Sequence, residues 1–209
     1  MARDLRPKCR LCRRAGMKLF LKGVRCVTEK CAIAKRPGPP GMQKRQLSKP
    51  SYYALQLREK QKAKNIYGVL ERQFRRFFKI ADKSKGVTGQ ILIQELERRM
   101  DNVVFRSLFA LSRAQARQLV RHGFVFIGGR RVDIPSYLVS EGQVIQLKVN
   151  EGVKNLIKEN IQLSAKERSI PDWLEVDKQN YKITVRKMPG KEDLTVPIQE
   201  QLIVELYSK

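Results

Sequence analysis

The chain has 209 residues, enough for one large or two small domains, each with a core of its own. It carries 44 Lys and Arg against 20 Asp and Glu, a formal net charge of +24 that is far beyond what solubility needs and points to a polyanionic partner. With no run of eighteen apolar residues and no hydrophobic signal core near Met1, the sequence argues against a membrane span and a secretory leader, and the expected location is cytoplasmic.

Charge is uneven along the chain. The basic excess is +13 over residues 1–50, +11 over 51–150 and zero over 151–209, which assigns the grip on the polyanion to the first two thirds. A polybasic membrane-surface protein would need a lipidation signal or a long basic helix with a broad apolar face, and neither is present.

Residues 1–36 hold all four cysteines, Cys9 and Cys12, then Cys26 and Cys31 after a thirteen-residue insert. Two close pairs around a hairpin-length insert suit a tetrahedral thiolate site. Zinc is the first expectation and a 4Fe–4S cluster the alternative; two disulfides are disfavoured in a reducing cytosol. Arg10, Arg13 and Arg14 crowd this region as candidate contacts to the polyanion, and Gly16 and Gly23 bracket a fold-back over Met17–Leu21. Residues 37–50 form a basic Pro/Gly linker carrying Lys44, Arg45 and Lys49, expected to order on the polyanion.

A helical domain is expected over 51–98. Ser51 caps a basic helix that ends at Gly68 and carries Tyr52, Arg58 and Lys60, with Tyr52 a candidate for base stacking. Leu70 to Lys83 follows, with Leu70, Phe74, Phe77, Phe78 and Ala81 on one apolar face, then a helix capped by Thr88 that buries Ile91, Leu92, Leu96 and Met100. A short helix over 102–108 should pack beneath the next one.

That next helix, Arg113 to His122, is capped by Ser112 with Gln115 as capping-box partner and stopped by Gly123. Ala116, Leu119 and Val120 make its packed stripe, and Arg113, Arg117 and Arg121 recur every four residues on an adjacent face expected to reach the polyanion. Phe124 to Ile127 runs into the hairpin signal Gly128-Gly129, then Arg130 and Arg131, and a second apolar segment covers Val144 to Leu147. Beyond it, residues 155–162 read as helix, 173–176 and 181–186 as a hairpin, and 201–207 as an apolar-faced segment.

Little in the chain suits an enzyme. His122 is the only histidine, and there is neither a P-loop nor a dinucleotide fingerprint, so no small-molecule substrate is expected.

Ser112-Arg113, Ala116, Leu119-Val120, Gly123, Val125, Ile127, Gly129, Val132, Pro135, Gly142 and Ile145 resemble the RNA-binding module named after the fourth small-subunit ribosomal protein. The CRLCRR opening, the Lys-Arg-Pro-Gly-Pro-Pro-Gly linker, YALQLREKQKAKNIYGVLERQFRRFF, LERRMDNVVFR and Val196 to Leu202 extend the resemblance to nearly the whole chain, so the sequence is similar to the bacterial family of that protein. The resemblance implies a structural constituent of the 30S subunit and a primary 16S ribosomal RNA binder that acts early in assembly. It also implies neighbours that include protein five, a place near the messenger entry path and an influence on decoding accuracy. A free zinc-bearing nucleic-acid regulator is the alternative.

The fold class expected is α+β. A four-Cys metal module (1–36) and the linker (37–50) precede an all-α domain (51–98), completed by residues 198–209 because the resemblance implies a returning last helix. The RNA-binding module (99–197, core 111–147) packs helices on a small antiparallel sheet.

Overall fold

The computed structural model describes residues 4–41, 49–190 and 198–208, and Lys44 and Arg45 lie outside them. The chain forms two compact units: residues 1–93 with 194–209, and residues 94–193.

In the first unit, α1 (Lys8–Ala15) stops at Gly16, whose φ of 71° is the left-handed value that glycine adopts without strain. A 3₁₀ turn (Gly23–Cys26) and α2 (Ala32–Lys35) follow. No strand forms over 17–21; instead Leu19 is fully buried while Phe20 turns out at a φ of 52°.

The metal module expected over residues 1–36 finds no support in the structure. The four cysteines are free and line one cavity of about 20 Å³ beside Lys8, Lys22 and Arg25. Among the described residues, however, no group of three or more His, Cys, Asp or Glu side chains is disposed to hold a metal ion. Burial pushes the Cys12 and Cys26 thiols up. Cys26 Sγ accepts the backbone N–H of Lys22 at 3.3 Å. Buried Leu11, Cys12, Leu19, Cys26 and Cys31 supply the apolar interior of the segment, and neither zinc nor an iron–sulfur cluster is supported there.

Ser51 caps α3 (Tyr52–Tyr67) by accepting the Ala54 N–H, and Gly68 ends it in the left-handed conformation. On α4 (Glu71–Lys83), Phe74, Phe77, Phe78 and Ala81 are buried, each phenylalanine contributing about 1.5–3 kcal/mol by leaving water. α5 (Thr88–Glu97) buries Leu92, Ile93 and Leu96. The last helix, α9 (Glu200–Tyr207), returns against α3: Tyr207 stacks on Phe78 with centroids 4.4 Å apart, and Ile203 is fully buried. Gly89 on α5 leaves room for the start of α9, because a Cβ there would stand 2.6 Å from Glu200 Cγ.

The second unit holds α6 (Met100–Arg106), α7 (Arg113–Arg121), α8 (Glu151–Ala165) and a five-stranded antiparallel sheet. Its strands are β1 (Val125–Ile127), β2 (Arg130–Arg131), β3 (Val144–Leu147), β4 (Leu174–Asp177) and β5 (Lys182–Val185), in the order β2-β1-β3-β5-β4. The short turn at Gly128 and Gly129, with φ of 53° and 80°, joins β1 to β2, as two left-handed central residues permit. The 173–186 hairpin joins the same sheet, with Ile145 opposite Ile183. Val120, Val125, Ile145, Trp173 and Ile183 are wholly buried between helices and sheet.

Candidate RNA-binding surface

α7 begins as its sequence requires. Ser112 Oγ accepts the Gln115 N–H at 3.3 Å, and Gln115 Oε1 accepts the Leu111 N–H at 2.7 Å, one residue earlier than in a standard capping box. Ala116, Leu119 and Val120 are buried.

Two of the three arginines on this helix are turned inward, contrary to the expected outward face. Arg117 Nη1 donates to Asp101 Oδ2 at 3.2 Å, and Asp101 also receives Arg99 through Nε at 3.1 Å and Nη2 at 2.7 Å. Arg113 Nε donates to Asn102 Oδ1 at 2.8 Å, and its guanidinium lies 4.4 Å from the Phe105 ring centroid. Asn102 in turn donates to Glu97 Oε2 at 2.6 Å, and Glu97, wholly buried, receives Arg106 through Nε at 3.0 Å and Nη2 at 2.7 Å. Arg168 closes the cluster, 4.0 Å from the Phe105 centroid and bonded to Ala110 O at 2.9 Å and Ser164 Oγ at 2.7 Å. Burial, then the charges of Arg113 and Arg106, lower its pKa to about 10.

Of the five arginines expected to reach RNA from this unit, Arg121, Arg130 and Arg131 are exposed. Arg131 Nη2 reaches the His122 carbonyl at 3.5 Å, over Gly123, where a Cβ would stand 1.9 Å from its Nε. The α7 C-terminus and the β1–β2 hairpin therefore present three guanidinium groups and the exposed His122 together. Nearby, the Lys148 ammonium lies 4.8 Å from the Phe126 centroid.

On the first unit, Arg10 and Arg14 are exposed, whereas Arg13 donates to the carbonyls of Gly38 at 2.9 Å and Pro39 at 3.0 Å and so ties down the start of the linker. Lys49 and Arg58 are exposed. The Tyr52 ring is 55% exposed while its hydroxyl bonds Glu205. Lys60 is engaged internally, donating to Glu71 at 3.1 Å. Lys64 donates to the same carboxylate at 2.6 Å, and Tyr207 Oη at 2.9 Å. Burial alone would raise the Glu71 pKa, but the bonds from Lys64, Tyr207 and Lys60 outweigh it and hold the carboxyl at about 2.

One basic surface went unread in the sequence. Arg72, Arg75, Arg76, Lys79 and Lys83 are all exposed on α4, on the side away from its phenylalanines, around an open depression of about 350 Å³. The signal was present in the spacing 72, 76, 79, 83, which is as periodic as the apolar set but was overshadowed by it.

Residues 3–97 match the family described as Ribosomal protein S4/S9 N-terminal domain, and residues 98–145 match the S4 domain. Over all 209 residues, covering 100% of both chains, the sequence is 52% identical to small ribosomal subunit protein uS4A of Symbiobacterium thermophilum. It is likewise 53% identical to uS4 of Dictyoglomus turgidum and 55% identical to uS4 of a Geobacter species, strain M21, with the same full coverage.

Proposed function

The chain belongs to the family of small ribosomal subunit protein uS4, which makes it a structural constituent of that subunit, and from that premise we propose that it is a primary binder of 16S ribosomal RNA. The end-to-end identity to uS4 proteins carries the reading. Exposed cations on both units support it: Arg121, Arg130 and Arg131 on the second, and Arg10, Arg14, Lys49 and Arg58 on the first. These groups suit phosphate contacts, which position an RNA without reading its sequence. Arg113, Arg117, Arg13 and Lys60, by contrast, act by holding the protein framework that presents them.

Binding early, the protein nucleates assembly of the 30S body beside other small-subunit proteins, protein five among them, near the messenger entry path, and contributes to decoding accuracy. A cytoplasmic location follows from its place in the bacterial ribosome. The family is not an enzyme class, and the protein turns over no substrate. A zinc-bearing regulator outside the ribosome has no support once the metal site is set aside.

Purified protein should retain 16S RNA from a bacterial lysate in near-stoichiometric yield, with affinity that falls steeply as salt rises, because each neutralised phosphate releases counterions. Recovery of diverse transcripts, without enrichment of 16S RNA, would overturn the proposal.

A further inference from the structure

We propose that the outer face of α4 is a separate binding site for the phosphate backbone of double-stranded RNA, carried by Arg72, Arg76, Lys79 and Lys83 with Arg75 at its edge. The inference rests on the RNA-binding reading above and goes further by naming the site and the form of RNA it takes.

The geometry is that of a straight stripe. At 100° per residue, positions 72, 76, 79 and 83 fall within about 60° of one another on the helix, and 75 lies just beside them. The buried Phe74, Phe77, Phe78 and Ala81 are centred on the opposite side. With a rise of about 1.5 Å per residue the stripe is about 16 Å long, and cations four residues apart stand about 6 Å apart along the axis. That is the scale on which successive phosphates recur along a nucleic-acid strand. All five side chains are exposed, and none is joined to a carboxylate among the described residues, in contrast to Lys60 and Lys64, which Glu71 engages. Five like charges along three helical turns repel one another, and structural packing does not require them. A polyanion laid along the face relieves that repulsion.

The face also indicates which polyanion. Recognition of single strands relies on exposed aromatic rings that stack on splayed bases. On α4 every aromatic ring is buried in the core, and Ile80 is the only large apolar side chain among those lining the depression. The surface offers charge in a line with no stacking platform, which suits a duplex whose bases are paired and turned inward. Arginine predominates at three of the five positions, and its planar guanidinium can engage two phosphate oxygens at once.

The full-length protein carrying Arg72→Gln, Arg76→Gln and Lys79→Gln would be titrated by filter binding against three probes: 16S RNA, a 20-base-pair RNA duplex of arbitrary sequence, and a 20-nucleotide oligouridine. The expected result is at least a tenfold loss of duplex affinity. The slope of log affinity against log salt should become shallower by about 2–3 for three phosphate contacts removed. Oligouridine binding should fall much less. Arg76→Gln alone should reduce the slope by about 1, which keeps the test valid if the triple variant does not fold, while Arg76→Lys should keep most of the affinity. Unchanged duplex affinity and slope in a normally melting variant, or a loss confined to oligouridine, would overturn the site. Failure of the wild-type protein to bind 16S RNA while binding the duplex would instead count against the ribosomal reading and leave the α4 site standing.

Discussion

Arg117 and Asp101 are joined at 3.2 Å between α7 and α6, and Asp101, which also receives Arg99, is only 3% exposed. A hydrogen bond to a charged, buried acceptor contributes about 1.5–3 kcal/mol. Arg117→Ala should therefore lower the melting temperature by several degrees, at roughly 2–4 °C per kcal/mol for a chain of this size. Arg121→Ala, on the exposed end of the same helix, should leave the melting temperature within about 1–2 °C, since surface substitutions cost at most about 0.5 kcal/mol, while weakening RNA binding. Equal thermal effects in the two variants would show that the Arg117 pairing carries no weight.

The inward turn of Arg113 and Arg117 marks where the sequence was misleading. Residues four apart do not run parallel to a helix axis: each step of four advances about 40°. A row of arginines at 113, 117 and 121 therefore winds from the buried side to the solvent side, and only its last member stays clear of the core. Caps and stops were legible because they are local: Ser51, Gly68, Ser112 and Gly128-Gly129 each fix a turn through their own backbone chemistry. The pairings of Asp101 with Arg117 and of Glu97 with Arg106 were not, since they join residues sixteen and nine apart through tertiary packing. The cysteine spacing was equally visible, but spacing alone does not state how the thiols are disposed once Leu11 and Leu19 have packed among them.

Glu97 offers the sharpest test of the buried network. It is wholly inaccessible, with Arg106 and Asn102 as its partners, and removing one member of such a pair leaves the other charge buried without compensation. Glu97→Ala should cost about 3–5 kcal/mol, measurable as a reduced denaturant midpoint. A Glu97→Ala, Arg106→Ala double variant should lose less than the sum of the two single losses. Strict additivity in this cycle would mean that the two side chains do not act as a pair.

At Gly123 backbone and surface chemistry meet. Its φ of 76° lies in the left-handed region, and a Cβ would occupy the position of the Arg131 guanidinium. Gly123→Ala should cost about 1–2 kcal/mol in backbone strain. Because Arg131 is long and can swing aside, the core should survive, but the cluster of Arg121, Arg130 and Arg131 would be dispersed. Circular dichroism should show a slightly lowered melt, and filter binding a several-fold loss of affinity for 16S RNA; a lowered melt with unchanged affinity would remove Arg131 from the interface.

The C-terminal helix is held to the first unit by Tyr207, which stacks on Phe78 and donates to Glu71, and this attachment should depend on pH in a defined direction. The Glu71 carboxyl sits at about 2 in the folded protein against an ordinary value of 4.5. A carboxyl depressed on folding stabilises the folded state above its unfolded pKa, and the contribution fades as pH falls from 4.5 toward 2. Because Glu71 is partly exposed, solvent screening keeps the gain near the modest end, about 1 kcal/mol. At the alkaline end the direction reverses: burial, then the bond to Glu71, raises the Tyr207 hydroxyl above 10, so stability should fall as pH climbs past that value. Melting curves of wild type and Glu71→Gln should differ by about 2–4 °C at pH 7 and converge near pH 2. Tyr207→Phe should keep the stack on Phe78 but remove the decline specific to high pH. A gap between wild type and Glu71→Gln that persists undiminished at pH 2 would show that the carboxylate charge is not what fastens α9.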